Sequence, residues 1–163
     1  MKIRSSLTAV TVALWTAAAC AQGNYSFTNT VNQAVPDASP SGKTLTANVS
    51  GVNGSISDVS LSLNIGNAPG STAYNGDLYA YLAGPNGGFS VLLNRVGIGT
   101  GNNFGYGDAG MDVTFSLGAL SNIHFYQGGS FSLNGLGQLT GTWGADGRNV
   151  DPQSTPSAFD PGG

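Results

Sequence analysis

From Asp58 the chain reads Asp-Val-Ser-Leu-Ser-Leu-Asn-Ile, so that Val59, Leu61, Leu63 and Ile65 alternate with Ser60, Ser62 and Asn64. A period of two sends one set of side chains to the buried face of a pleated strand and the other set to water. After a glycine-rich break the pattern returns, with Leu78, Ala80 and Leu82 set against Tyr79 and Tyr81. Shorter alternations cover Tyr25 to Thr28, Thr44 to Ser50, Phe89 to Asn94 and Asp112 to Leu117, the last with Val113, Phe115 and Leu117 as its inward set. In a run at Ile123 to Tyr126, Ile123 and Phe125 are the inward residues and His124 and Tyr126 the polar side. Phe131 and Leu133 offer one more short strand. Turn chemistry separates these runs, at Asn53-Gly54, Pro69-Gly70, Asn75-Gly76, Pro85-Asn86-Gly87-Gly88 and Gly128-Gly129. Many short strands at such spacing predict an all-β fold, a jelly-roll-like β-sandwich. Gly97 to Gly110 reads as a long mobile glycine-rich loop, and Asp146 to Gly163 as a second loop.

The N-terminus predicts export. Lys2 and Arg4 precede an uncharged run from Leu7 to Ala19, and Ala19 and Ala21 occupy the small positions before a cleavage. Residues 1–21 are therefore read as a signal peptide, too short and wrongly flanked for a membrane span. Ala17-Ala18-Ala19-Cys20 offers an alternative, a lipoprotein cleavage that acylates Cys20. Cys20 is the only cysteine, so cleavage after Ala21 leaves no disulfide framework and no cysteine chemistry. Loss of Lys2 and Arg4 takes the formal charge from −3 to −5. That balance argues against nucleic acid as a partner, because phosphate binding needs clustered Lys and Arg. Every acidic residue is Asp, which favours turns, and 26 glycines point the same way.

Chemistry is sparse. A serine triad needs a histidine, and the single one, His124, falls on the polar side of its run and reads as a solvated strand residue. No Gly-x-Ser-x-Gly elbow occurs. Gly105-Tyr106-Gly107-Asp108-Ala109-Gly110 matches a dinucleotide fingerprint by count, but a strand-like run follows it and Asp108 would repel phosphate. Calcium is the better expectation for an Asp-rich exported chain, with Asp58, Asp77, Asp108 and Asp112 as candidate ligands. Asp77 has an alternative role, bonding backbone amides of its own turn. Tyr79, Tyr81, Tyr106 and Tyr126 are candidates for an aromatic platform that binds sugar.

Four landmarks occur in order: Val35-Pro36-Asp37; Val49-Ser50-Gly51 with Ile56-Ser57-Asp58-Val59; Gly76-Asp77-Leu78 followed by Leu82, Gly84-Pro85 and Gly87; and Leu92-Leu93-Asn94-Arg95 followed by Gly97 and Asn103-Phe104. Together they resemble the P domain (P/Homo B domain) of proprotein convertases and subtilisin-like proteases. Tyr25-Ser26-Phe27, Gly141-Thr142-Trp143 and Asp146 to Pro152 look similar to stand-alone exported bacterial copies. The resemblance implies a galactose-binding-like jelly roll over residues 35–163, after an N-terminal segment at 22–34. The family's closing Trp-containing strands are not matched, so the sandwich is expected to be incomplete. The implied role is that of a non-catalytic accessory module, structural or binding, with a protease catalytic domain or a surface polysaccharide as partner. Two alternatives remain: a part in serine-type endopeptidase proteolysis, and a carbohydrate or cell-surface binding module.

Overall fold

A computed structural model of the chain describes residues 23–29, 31–36 and 41–147. The expected signal peptide, Cys20, Asp37 and the segment after Gly147 lie outside the described residues. The fold is all-β, with strands in two sheets and, among the described residues, only short 3₁₀ turns besides. The strands are β1 (Leu61–Ile65), β2 (Tyr79–Ala83), β3 (Phe89–Asn94), β4 (Met111–Phe115), β5 (Ser132–Leu133) and β6 (Leu139–Trp143). A four-stranded sheet runs in the order β1-β4-β6-β5, and β2 and β3 form a separate antiparallel pair. β4 and β6 are parallel, which requires a long crossover; residues 116–138 supply it.

Alternation builds the core where it is strictest. Leu61, Leu63 and Ile65 stand opposite Phe115, Val113 and Met111. Met111 and Phe115 in turn stand opposite Leu139 and Trp143. Met111, Val113, Phe115, Leu139 and Trp143 are buried, and the three β1 residues pack against them. Each such side chain removed from water contributes about 1.5–3 kcal/mol. The intervening Ser62, Asn64 and Asp112 are exposed, and the Ser62 and Thr114 hydroxyls share a hydrogen bond of 2.9 Å.

Elsewhere the structure departs from simple alternation. In β3, Val91, Leu92, Leu93 and Asn94 are all buried. A bulge makes Leu93 face Ala80 while Val91 faces Tyr81, so Leu92 is the extra residue. The outer edge of β3 is covered too: Asp146 N donates to Leu92 O and Gly147 N to Val91 O. Leu117, an expected core residue, is 85% exposed. The ladder ends two residues earlier, at Phe115, because Ser116 starts a turn in which Ala119 N donates to Ser116 O and Gly118 N to Ser116 Oγ. Tyr25 to Thr28 and Thr44 to Ser50 are not strands, and Tyr25, Phe27, Leu45 and Val49 are exposed. Asn29 Nδ2 donates to Thr46 O at 3.5 Å, and an amphipathic ribbon without a ladder partner has little stability of its own.

The largest correction concerns Ile123 to Tyr126. This run lies in a 3₁₀ segment, Ile123–Gly128, instead of a strand. Asn122 caps it, its Oδ1 accepting His124 N at 2.8 Å. A period near three puts Ile123 and Tyr126 on one face, and His124 also turns inward, while Phe125 is exposed. The glycine-rich loop is likewise tied down: Tyr106 N donates to Val96 O, Gly97 N to His124 O, and Ala109 N to Gly137 O.

Candidate functional site

The most concentrated chemistry lies where the 3₁₀ segment, the glycine-rich loop and the end of β6 meet. His124 is 1% exposed. Its Nδ1 lies 2.7 Å from Asp146 Oδ2, and its Nε2 lies 2.9 Å from the Ile98 carbonyl oxygen. The Ile98 carbonyl can only accept, so Nε2 donates to it, and Nδ1 shares a proton with the Asp146 carboxyl; both ring nitrogens are thereby engaged within the protein. Asp146 Oδ2 also accepts Asn94 N at 3.2 Å. Asn122 Nδ2 donates to Ala145 O and Asp146 O, fixing the chain that carries the carboxylate. One imidazole thus joins the loop at Ile98, the 3₁₀ segment and the strand exit at Asp146, with β3 reached through Asn94. The reading of His124 as a solvated strand residue is overturned, because the segment is helical and its faces are rotated. No sequence spacing signals the partner Asp146, which lies 22 positions away.

The His124–Asp146 pair has the form of a base held by a carboxylate, which is half of a serine triad. The other half requires Nε2 to face a nucleophile. Here Nε2 faces a backbone carbonyl, which can neither attack nor give up a proton.

A second buried network adjoins it. Tyr126 OH donates to Asp108 Oδ2 at 2.7 Å and accepts from Asn75 Nδ2 at 3.2 Å. Gln127 Nε2 donates to the same carboxylate oxygen, and Asn75 Nδ2 also reaches Gly110 O. Burial pushes the Tyr126 phenol well above its usual range, and the Asp108 carboxylate adds to the effect. Tyr106 packs edge-on against Tyr126, with ring centroids 4.6 Å apart. Asn75 N and Gly76 N donate to Asp108 O and Tyr106 O, so the Asn75–Asp77 turn is stitched to the loop. Gly76 is required by that contact: a Cβ there would lie 2.1 Å from the Phe104 carbonyl oxygen. The Gly76-Asp77-Leu78 turn is therefore an element that sets the fold.

The four candidate calcium ligands fall on separate elements. Asp58 is exposed ahead of β1, its Oδ1 accepting Val59 N. Asp77 is exposed on the 3₁₀ turn, Asp112 is exposed on β4, and Asp108 serves Tyr126 and Gln127. Among the described residues, no three Asp or His side chains gather as a metal would need.

The four tyrosines divide. Tyr106 and Tyr126 are core residues. Tyr79 and Tyr81 lie on the outer face of β2, where Phe89 of β3 joins them. Phe89, beside the hairpin turn and opposite Ala83, is 36% exposed. Among the described residues, no helix is long and apolar enough to cross a membrane.

Compared with family models, with curated proteins and with solved structures, the chain matches none.

Proposed function

We propose that this chain is an exported, non-catalytic module with a structural or binding role, of the kind that the P-domain resemblance implies for an accessory part of subtilisin-like proteases. One observation carries the non-catalytic reading: the single histidine spends both ring nitrogens on internal acceptors, Asp146 and the Ile98 carbonyl. Asp108 is engaged in the same way, by Tyr126 and Gln127. The ordered landmarks from Val35 to Phe104 support the P-domain reading, and the two-sheet all-β architecture is compatible with it. Export is supported by the charge and hydropathy pattern of residues 1–21. The test is an assay of the purified mature chain on a mixed peptide library, with and without a serine-directed inhibitor. No cleavage above the buffer rate is expected; inhibitor-sensitive cleavage would return the protein to the proteases.

A further inference from the structure

We propose that the row Tyr79–Tyr81–Phe89 is a stacking surface for a single chain of a neutral polysaccharide. This rests on the reading of the protein as a non-catalytic binding module, and it names the ligand class. Leu78 and Ala80 pack into the core, so Tyr79 and Tyr81 stand on the opposite, outer face of the hairpin. The ring centroids of Tyr79 and Tyr81 are 6.1 Å apart, and those of Tyr81 and Phe89 are 5.1 Å apart. Tyr81 is 55% exposed at the centre of the row.

Charge selects among partners. From Leu78 to Asn94 the hairpin carries no Asp, Glu, Lys, Arg or His. Nothing on it attracts a phosphate or a carboxylate, which removes the main source of affinity for nucleic acids and acidic polymers. A neutral sugar ring offers C–H groups to the negative face of an aromatic ring and hydroxyls to the Tyr81 oxygen.

Size separates a glycan from a protein. A fully buried aromatic side chain covers about 150–250 Å², and these rings are only partly exposed, so the row offers on the order of 300 Å². A stable protein interface takes about 800 Å² per partner. A second copy of this chain, or another folded protein, would find too little surface here; a narrow, elongated ligand would not. The ring planes also tilt by 51° and 34° along the row, following the twist of the hairpin. They present no common plane, so a single soluble chain fits them and a flat crystalline fibre does not.

The experiment is affinity electrophoresis of the mature chain through gels containing a soluble neutral β-glucan, a soluble galactomannan or alginate. Retardation is expected in at least one neutral gel and not in alginate. Tyr81→Ala and Phe89→Ser, each with a melting temperature within a few degrees of the parent, should weaken retardation about tenfold, the usual consequence of removing one stacking ring. Tyr81→Phe, which keeps the ring, should retain most of it. The proposal is overturned by an absence of retardation in both neutral gels, by equal retardation of the folded variants, or by stronger retardation in alginate. A concentration-dependent dimer that Tyr81→Ala abolishes would overturn it in favour of self-association. Each of these leaves the non-catalytic reading standing, because none of them bears on peptide cleavage or on the bonding of His124.

Discussion

Replacing His124 with alanine removes two hydrogen bonds at once and strips a partner from a carboxylate whose side chain is fully buried. Breaking one side of a buried ion pair typically costs about 3–5 kcal/mol. The lost bond to the Ile98 carbonyl adds about 1 kcal/mol. A loss of roughly 4–6 kcal/mol is expected, against a total stability of about 5–15 kcal/mol for a domain of this class. The readout is urea unfolding followed by the fluorescence of Trp143, which sits 6% exposed beside Tyr126 and reports the same core. Because both partners lie in one network, the effects should not add. Asp146→Ala alone should be severe, and the double variant should be milder than the sum by more than about 1 kcal/mol. A solvated histidine would instead change stability by less than about 0.5 kcal/mol. A His124→Ala protein that unfolds at the parent's urea midpoint would refute the clasp and with it the main objection to a catalytic role.

Gly76→Ala should cost about 3 kcal/mol or more by urea titration, because the new Cβ meets backbone at 2.1 Å and 2.8 Å, and backbone cannot swing aside; Gly128→Ala, with open space around it, is the neutral control. Leu61→Asp should abolish cooperative melting, since it puts a charge on the β1 face that packs against the core, opposite Phe115; a normal melt would contradict the inward assignment. The raised pKa of Tyr126 means that the folded state holds its proton more tightly than the unfolded state, whose tyrosine titrates near 10. Its contribution to stability is therefore complete below about pH 10 and lost as pH rises beyond that. Tyrosinate absorbance should show one phenol that ionises only as the fold is lost, and Tyr126→Phe should remove that late component. Millimolar calcium should leave the melting temperature unchanged, because the candidate aspartates do not converge; a rise of several degrees would restore calcium as a ligand.

Much of the architecture was legible wherever side-chain period and burial agree. β1 and β4 follow their alternation because each has one face on the core and one in water. β3 hides its alternation because a bulge breaks its period and Val91 to Asn94 are all buried, with Asp146 and Gly147 bonded along its edge. β6 escaped notice because its middle inward position is Gly141, which contributes no apolar side chain to the pattern Leu139-Thr140-Gly141-Thr142-Trp143. The Ile123 to Tyr126 run is ambiguous in sequence because four alternating residues satisfy a strand and a 3₁₀ turn equally well, and the cap at Asn122 decides between them. The outcome places His124 in the core instead of in water. The tyrosines show the same limit: alternation placed Tyr79 and Tyr81 correctly, but Phe89 joins them only through pairing between strands.

The most direct measurement of whether His124 is a structural clasp or an accessible reagent is its reaction with diethylpyrocarbonate, followed by mass spectrometry of the intact, folded chain. With both ring nitrogens bonded internally and the side chain 1% exposed, His124 should stay unmodified in buffer and react only after unfolding in urea. Modification of the native protein at the rate of a free histidine would contradict the clasp and reopen the case for catalysis.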